Sequence, residues 1–293
     1  MTVPIAMARE SQRSGGAAFL SACRAAAWLE YRNLRYHPLN LLLSAVEELT
    51  TVGVWYFVAD FLSGSADADV REYGGSYLAF VVLGVLLNQV ALTALNGPFE
   101  TISEAFWDKR LETYRLSIHG IWANVVGRLF WRVAFSTALQ LAALAALIAT
   151  GAVPIELSAR LILAALAFLL LVAANAGVGF IGASLFFLLE VKSGQDPVTW
   201  AYRYLVMLST GLYVPLALLP GWLRTMGAIL PQTYAFAAVR TLVLTGAGWS
   251  DPNVGAKIVG LAVAAAAALG AGILMVNLAL RRAERQGGIG VVV

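Results

Sequence analysis

Apolar residues gather into six long stretches, at about 41–62, 77–98, 125–149, 161–189, 204–219 and 258–280, with polar segments between them. A helix rises about 1.5 Å per residue, so about 20 apolar residues cross the roughly 30 Å of hydrocarbon in a bilayer. The pattern predicts an all-α integral membrane protein with six transmembrane helices. The fifth stretch is short, and the fourth is long enough to tilt or protrude. Within 211–240, Pro215, Pro220 and Pro231 cut an apolar segment into pieces too short to cross, because proline lacks an N–H and collides with the preceding turn. Two half-length helices are predicted, at 221–230 and 232–245, with Gly246 and Gly248 ending the second. They form either a re-entrant helical hairpin between helices 5 and 6 or two helices flat on the outer interface, with Trp222 and Tyr234 as belt residues. The re-entrant form is the more economical, provided the broken backbone packs against protein or a watery cavity.

Ahead of the first stretch, residues 18–36 have helical periodicity of another kind. Phe19, Leu20, Cys23, Ala27, Tyr31 and Leu34 share one arc, and Ser21, Arg24, Trp28, Arg32 and Arg35 share another. Pro38 ends this helix at His37. A basic amphipathic helix with aromatics is expected in the cytoplasmic interface, as an anchor or as a contact for a partner. The predicted organisation is a tail and amphipathic connecting helix over 1–38, a six-span domain over 39–280, and a tail over 281–293. The first 38 residues lack a compact apolar core with a cleavage site, so no removable signal is predicted.

Composition agrees with a membrane protein: of 293 residues, 60% are hydrophobic and 13% charged, with a mean hydropathy of +0.76. The net charge of +3 is small. Fifteen of the twenty Lys and Arg residues fall in the N-terminal segment, the segment after span 2 together with the start of span 3 (Arg128 and Arg132), the segment after span 4, and the C-terminal tail. An excess of positive residues marks the cytoplasmic side, so both termini are expected inside a cell membrane, and nucleic acid is not an expected partner. One cysteine, Cys23, permits no internal disulfide, and two histidines make a protein-built metal site hard to assemble. No GxxxxGK[ST], HExxH or GxSxG occurs. Catalytic residues are therefore not expected, and any nucleotide chemistry belongs to another chain.

Polar residues within the spans are few. Glu47 and Glu48 lie in the first, a turn or two from its predicted inner end. Intramembrane carboxylates are functional candidates by default, and these two are read as structural, pathway-lining or proton-coupling groups. Asn88 and Gln89, Asn175 and Asn277 read as interhelical glue, and the small residues of 174–184 and 262–272 as packing faces. After span 2, Glu100, Glu104, Asp108 and Glu112 recur every fourth residue, with Arg110 and Arg115 close by. If helical they form one acidic ridge, either a solvated face or a docking surface. A second cytoplasmic contact is placed at 190–200.

The segment "GLYVPLALLPGWLRTMGAILPQTYAFAAVR" resembles the C-terminal signature of ABC-2 type transporter permeases: Gly-aromatic-x-Pro, Leu-Pro-x-Trp-Leu, Leu-Pro-x-Thr-Tyr and a closing Arg. The matching residues are Gly211, Tyr213, Pro215, Leu219, Pro220, Trp222, Leu223, Leu230, Pro231, Thr233, Tyr234 and Arg240. The six-span layout and the N-terminal helix extend the resemblance over nearly the whole chain. "RLETYRLS" resembles the coupling-helix region, written Gly-Thr-Leu-Glu and then Ser-Pro or Thr-Pro. Leu111, Glu112 and Ser117 match, the glycine is absent, and Ile118 replaces the proline.

The resemblance implies the permease subunit of an ATP-driven exporter, dimeric, with two separate ATPase chains that carry ATP and Mg. Coupling would run through Glu104, Asp108, Arg110, Glu112 and Arg115. The interfacial helix would present Arg24, Trp28, Arg32 and Arg35 to membrane lipid or the ATPase. The substrate path and exit hairpin would include Glu47, Glu48, Asn88, Tyr213, Pro215, Pro220, Trp222, Pro231 and Tyr234. The expected cargo is a drug, antibiotic or lipid-like amphiphile. Export of lipid-linked polysaccharide and proton-coupled secondary transport are the alternatives.

Overall fold

The computed structural model describes residues 15–74, 76–116, 120–151, 160–188, 196–246 and 251–285. Among these residues every regular element is helical. Helix α1 (Gly15–Tyr36) is followed directly by α2 (Pro38–Leu62), with Pro38 in the first turn of α2, where its missing N–H costs nothing. A 3₁₀ turn (Asp67–Tyr73) leads to α3 (Tyr77–Trp107), capped by the Ser76 hydroxyl, which accepts from the Ala79 N–H. Then come the short α4 (Leu111–Leu116), α5 (Gly120–Ala149) and α6 (Arg160–Leu188). Helix α7 (Pro197–Ser209) and the half-length helices α8 (Gly221–Gly227) and α9 (Pro231–Arg240) precede the final helix α10 (Pro252–Arg285).

Five helices are long and apolar enough to cross a membrane, those of α2, α3, α5, α6 and α10, and the chain is a multi-pass membrane protein. The fifth expected crossing, 204–219, is not one helix. Helix α7 starts earlier, at Pro197, and stops at Ser209 after only 13 residues. Gly211 then takes φ 75°, in the left-handed region that glycine tolerates. Pro215 prevents the helix from resuming, and a single 3₁₀ turn (Leu216–Leu218) follows.

Helix α3 is the centre of the bundle. It packs on α6, α5 and α2, and most of its apolar span is buried, whereas α2 and α5 lie at the periphery. The most extensive contact joins α6 to α10. There a Cβ on Gly177 would overlap the backbone of Ala268, and one on Gly272 would overlap the Gly177 carbonyl. The small residues of 174–184 and 262–272 thus bring two backbones together as their composition predicts. Trp122 Nε1 donates to Asn277 Oδ1 at 3.1 Å, tying α5 to α10.

Candidate functional site

Three polar constructions stand out in this apolar bundle. The first lies at the α1 end. Arg128 and Arg132 are one turn apart on α5. Arg128 donates to Glu30 of α1 (2.7 Å) and Glu104 of α3 (2.5 Å), and Arg132 donates to Glu30 (3.0 Å), Glu104 (2.8 Å) and Glu100 (2.7 Å). Glu30 is buried. Beside it, a side chain at position 127 would strike the Cys23 carbonyl, so Gly127 lets α1 lie against α5. The arc Phe19, Cys23, Ala27 and Leu34 faces the bundle, while Leu20 and Tyr31 stay exposed, Tyr31 edge-on to Trp131 at 5.1 Å. Arg24, Trp28, Arg32 and Arg35 form the open face, where Arg32 lies 5.3 Å from the rings of both Trp28 and Tyr36.

Two members of the expected acidic ridge have partners inside the bundle while staying about half exposed. Glu104 and Glu100 face Arg128 and Arg132 and bind α1 and α5 to α3. The sequence reading had credited the two arginines only to topology. Asp108 and Arg110 remain exposed, 3.8 Å apart. The side chains of Glu112 and Arg115 lie outside the described ones, as do residues 190–195 of the second expected contact. Helix α3 ends with Lys109 at φ 58°. The Arg110 N–H returns to the Ala105 carbonyl at 2.8 Å, closing the turn into α4. Lys109 is two residues before Leu111, where the coupling-region pattern has glycine, and it adopts the backbone conformation that glycine favours.

The second construction continues the first along α5. Arg128, Arg132, Ser136 and Gln140 are spaced by four and form one polar stripe. Glu48 of α2 accepts from Ser136 Oγ at 3.0 Å and from Gln140 Nε2 at 2.7 Å. Helix α2 starts at Pro38, so Glu47 and Glu48 are its tenth and eleventh residues of 25, about 15 Å along the axis. They lie two to three turns into the helix; an acidic group at the centre of a membrane-spanning helix costs about 2.5–3.5 kcal/mol. Glu47 points to the open face of α2, among exposed Leu43, Val46 and Val54. Asn88 of α3 is buried, and its Oδ1 has no partner among the described residues.

The third construction holds the broken segment. Helices α8 and α9 (with its π-helical extension, Thr241–Thr245) meet at 91°. Pro231 occupies the first turn of α9, and Gly246, at φ 69°, ends the extension as expected; Gly248 lies outside the described residues. Thr233 Oγ1 donates to the Gly227 carbonyl (2.6 Å) and Tyr234 OH to that of Ala228 (2.7 Å), which fixes the turn. Gln232 is buried at this turn. Its Nε2 donates to Asn175 Oδ1 at 2.6 Å, and its Oε1 accepts from Tyr202 OH at 2.7 Å. Asn175 lies at the middle of α6, so the turn reaches the mid-depth of the bundle. Gly227 lets the end of α8 lie against α7, since a Cβ there would overlap the Ser209 carbonyl. Trp222 is 65% exposed.

At the far end of α9 the buried Arg240 donates to the carbonyls of Phe80 (3.0 Å), Gly211 (2.7 Å) and Leu212 (2.7 Å). It also lies 3.5 Å over the Phe80 ring. Tyr77 OH donates to the Tyr213 carbonyl at 3.1 Å, and Tyr213 stacks on Trp55 of α2 at 3.7 Å. The irregular 211–213 therefore has its carbonyls satisfied from α3 and α9, as broken backbone at membrane depth requires. Pro215 and Pro220 bound the connection to α8. Of the expected path residues, Tyr213 and Pro215 gather at this break, Pro231 and Tyr234 at the turn, and Glu47 and Glu48 on α2. The sequence reading placed Arg240 in the signature but assigned it no role, and it overlooked Gln232.

No group of three or more His, Cys, Asp and Glu among the described residues could hold a metal ion. No protein-family model matches the chain, and a comparison with curated proteins returns no match.

Proposed function

We propose that the chain is the permease subunit of an ABC-2 type exporter, two copies acting with two ATPase chains to move a hydrophobic or amphipathic substrate out of the cell. The observation that carries this reading is the helical break whose turn reaches Asn175 at mid-bundle and whose second limb runs from there to Arg240, which holds the carbonyls of Gly211 and Leu212. Read with the charge distribution, that is a re-entrant hairpin entering from the outer face, in a chain with both termini inside. The left-handed Lys109 at the glycine position of the coupling pattern supports the same family. So does the seating of α1 on the bundle. A push on α1 reaches α3 and α5 through Glu30, Glu104, Arg128 and Arg132 as one ionic body. In this reading ATP and Mg bind the partner chain.

The test uses inverted membrane vesicles containing the chain and its ATPase. Uptake of a fluorescent amphiphile is expected to require ATP and to stop when the Walker-A lysine of the ATPase is replaced. Uptake driven by a proton gradient alone, with the inactive ATPase present, overturns the reading in favour of secondary transport.

A further inference from the structure

The open face of α1 carries positive charge without a counter-charge. Arg24, Trp28 and Arg32 follow one another at four-residue intervals, with Arg35 on the same side. None of the three arginines makes an ion pair among the described residues. The one acid of α1, Glu30, lies on the other side of the helix and is taken by Arg128 and Arg132. Two hollows open on this face. One, of about 630 Å³, is lined by Leu20, Ser21, Arg24, Ala25 and Trp28. The other, of about 520 Å³, is lined by Trp28, Tyr31, Arg32, Arg35 and Tyr36. Both are within the roughly 300–1,000 Å³ of small-ligand sites, and Trp28 belongs to both. The rings of Trp28 and Tyr36, each 5.3 Å from the Arg32 guanidinium, hold it in place. Its hydrogen bond to Tyr36 OH is a long 3.4 Å, so its donors remain available.

This face lies at a membrane boundary. Only His37 separates α1 from the membrane-crossing α2, and Tyr36 and Leu39 beside it are both exposed. Helix α1 crosses α5 where Gly127 meets Cys23 and Arg132 meets Glu30, near the start of the α5 span at Ile121. Anchoring alone does not require such a face, because five helices already cross the membrane and Glu30 seats α1 on the bundle.

We propose that the open face of α1 is a binding site for the headgroup phosphate of an anionic phospholipid, with Arg24 in the first hollow and Arg32 and Arg35 in the second. Planar guanidinium forks match phosphate oxygens two at a time. Trp28, Tyr36 and Leu20 beside them suit the boundary between headgroup and acyl chain. The charge balance selects the lipid. Phosphatidylcholine brings its own cation next to the phosphate, and this face offers no carboxylate to receive it; phosphatidylglycerol brings none.

The experiment counts lipids bound to the purified chain by native mass spectrometry, in detergent titrated with phosphatidylglycerol or with phosphatidylcholine of the same acyl chains. No ATPase is present, so the result is independent of the transport test above. Phosphatidylglycerol is expected to bind at least tenfold more tightly than phosphatidylcholine. Replacing Arg24, Arg32 and Arg35 together by Gln is expected to bring it down to the phosphatidylcholine level. The same change at Arg281, Arg282 and Arg285, exposed on α10, is expected to leave it unaltered. Arg24→Gln alone, which removes no ion pair, is expected to weaken phosphatidylglycerol several-fold, and it decides if the triple variant fails to fold. Equal affinity for the two lipids overturns the proposal and leaves the face to a protein partner. Affinity unchanged in the folded α1 variants, an equal loss in the α10 variant, or equally tight binding of water-soluble glycerol phosphate overturns it as well.

Discussion

Two regions of this molecule hold helices together with buried arginine, and they do so in opposite ways. At the α1 end, Arg128 and Arg132 meet Glu30, Glu100 and Glu104, three carboxylates against two guanidiniums, with Glu100 and Glu104 partly open. At the other end, Arg240 is buried and its described hydrogen bonds all go to backbone carbonyls. In the first region charge balances charge, so several helices share one network and no single bond is decisive. In the second, one guanidinium supplies the donors that a break in the helix leaves wanting. Its planar fork fits three carbonyls at once, which an ammonium cannot do. The difference teaches where each region tolerates change: the network is redundant, and the clamp is not.

The sharpest way to break the contrast is Arg240→Met. It removes the charge from a buried site but strands the carbonyls of Phe80, Gly211 and Leu212. Each unsatisfied group costs about 1–3 kcal/mol, so the variant is expected to lose about 3–5 kcal/mol, since the irregular segment relaxes. Thermal unfolding of the purified protein in detergent measures this. Arg240→Lys is expected to recover only part of the loss. Full stability in Arg240→Met would mean that the break is held by packing alone.

Glu30→Ala probes the network with a smaller effect. Arg128 and Arg132 keep Glu104 and Glu100, so about 1–3 kcal/mol is lost, discounted because those partners are partly solvated. Salt separates the two regions further. Raising NaCl from 0.1 to about 1 M shortens the screening length from about 10 to 3 Å. That is expected to lower the stability difference between wild type and Glu30→Ala and to leave the Arg240→Met difference unchanged. A salt response of equal size in both would erase the distinction drawn here.

The legibility of the sequence follows the same division. The five long helices and the packing of 174–184 on 262–272 were plain, because apolar run length and small-residue spacing act locally. The half-helices were plain too, because Pro215, Pro220 and Pro231 punctuate them. The fifth crossing was misread because hydropathy counts Gly211, Tyr213 and Val214 as membrane residues and says nothing of φ at Gly211. The pairing of Glu104 was missed because its partners are 24 and 28 residues away on another helix. A signal was present: Arg128, Arg132, Ser136 and Gln140 repeat every four positions in an otherwise apolar helix, a stripe that needs polar partners from its neighbours. Glu30, Glu104 and Glu48 are those partners, each in a different helix, so only the tertiary arrangement could match them.

The smallest effect sharpens the network side of the comparison. Cys23 sits on the face of α1 turned to α5, and burial pushes its thiol above the ordinary value. The thiolate is the reacting species, so at pH 7 a larger fraction than usual is protonated and inert. Maleimide is expected to label Cys23 more slowly than a free cysteine peptide at pH 7, with the rate climbing as pH rises. If the ionic network is what seats α1, Glu30→Ala will label faster than wild type at the same pH, and Arg240→Met, while still folded, will not. Faster labelling in Arg240→Met alone would instead link α1 to the far end of the bundle, and the two regions would have to be treated as a single mechanical unit.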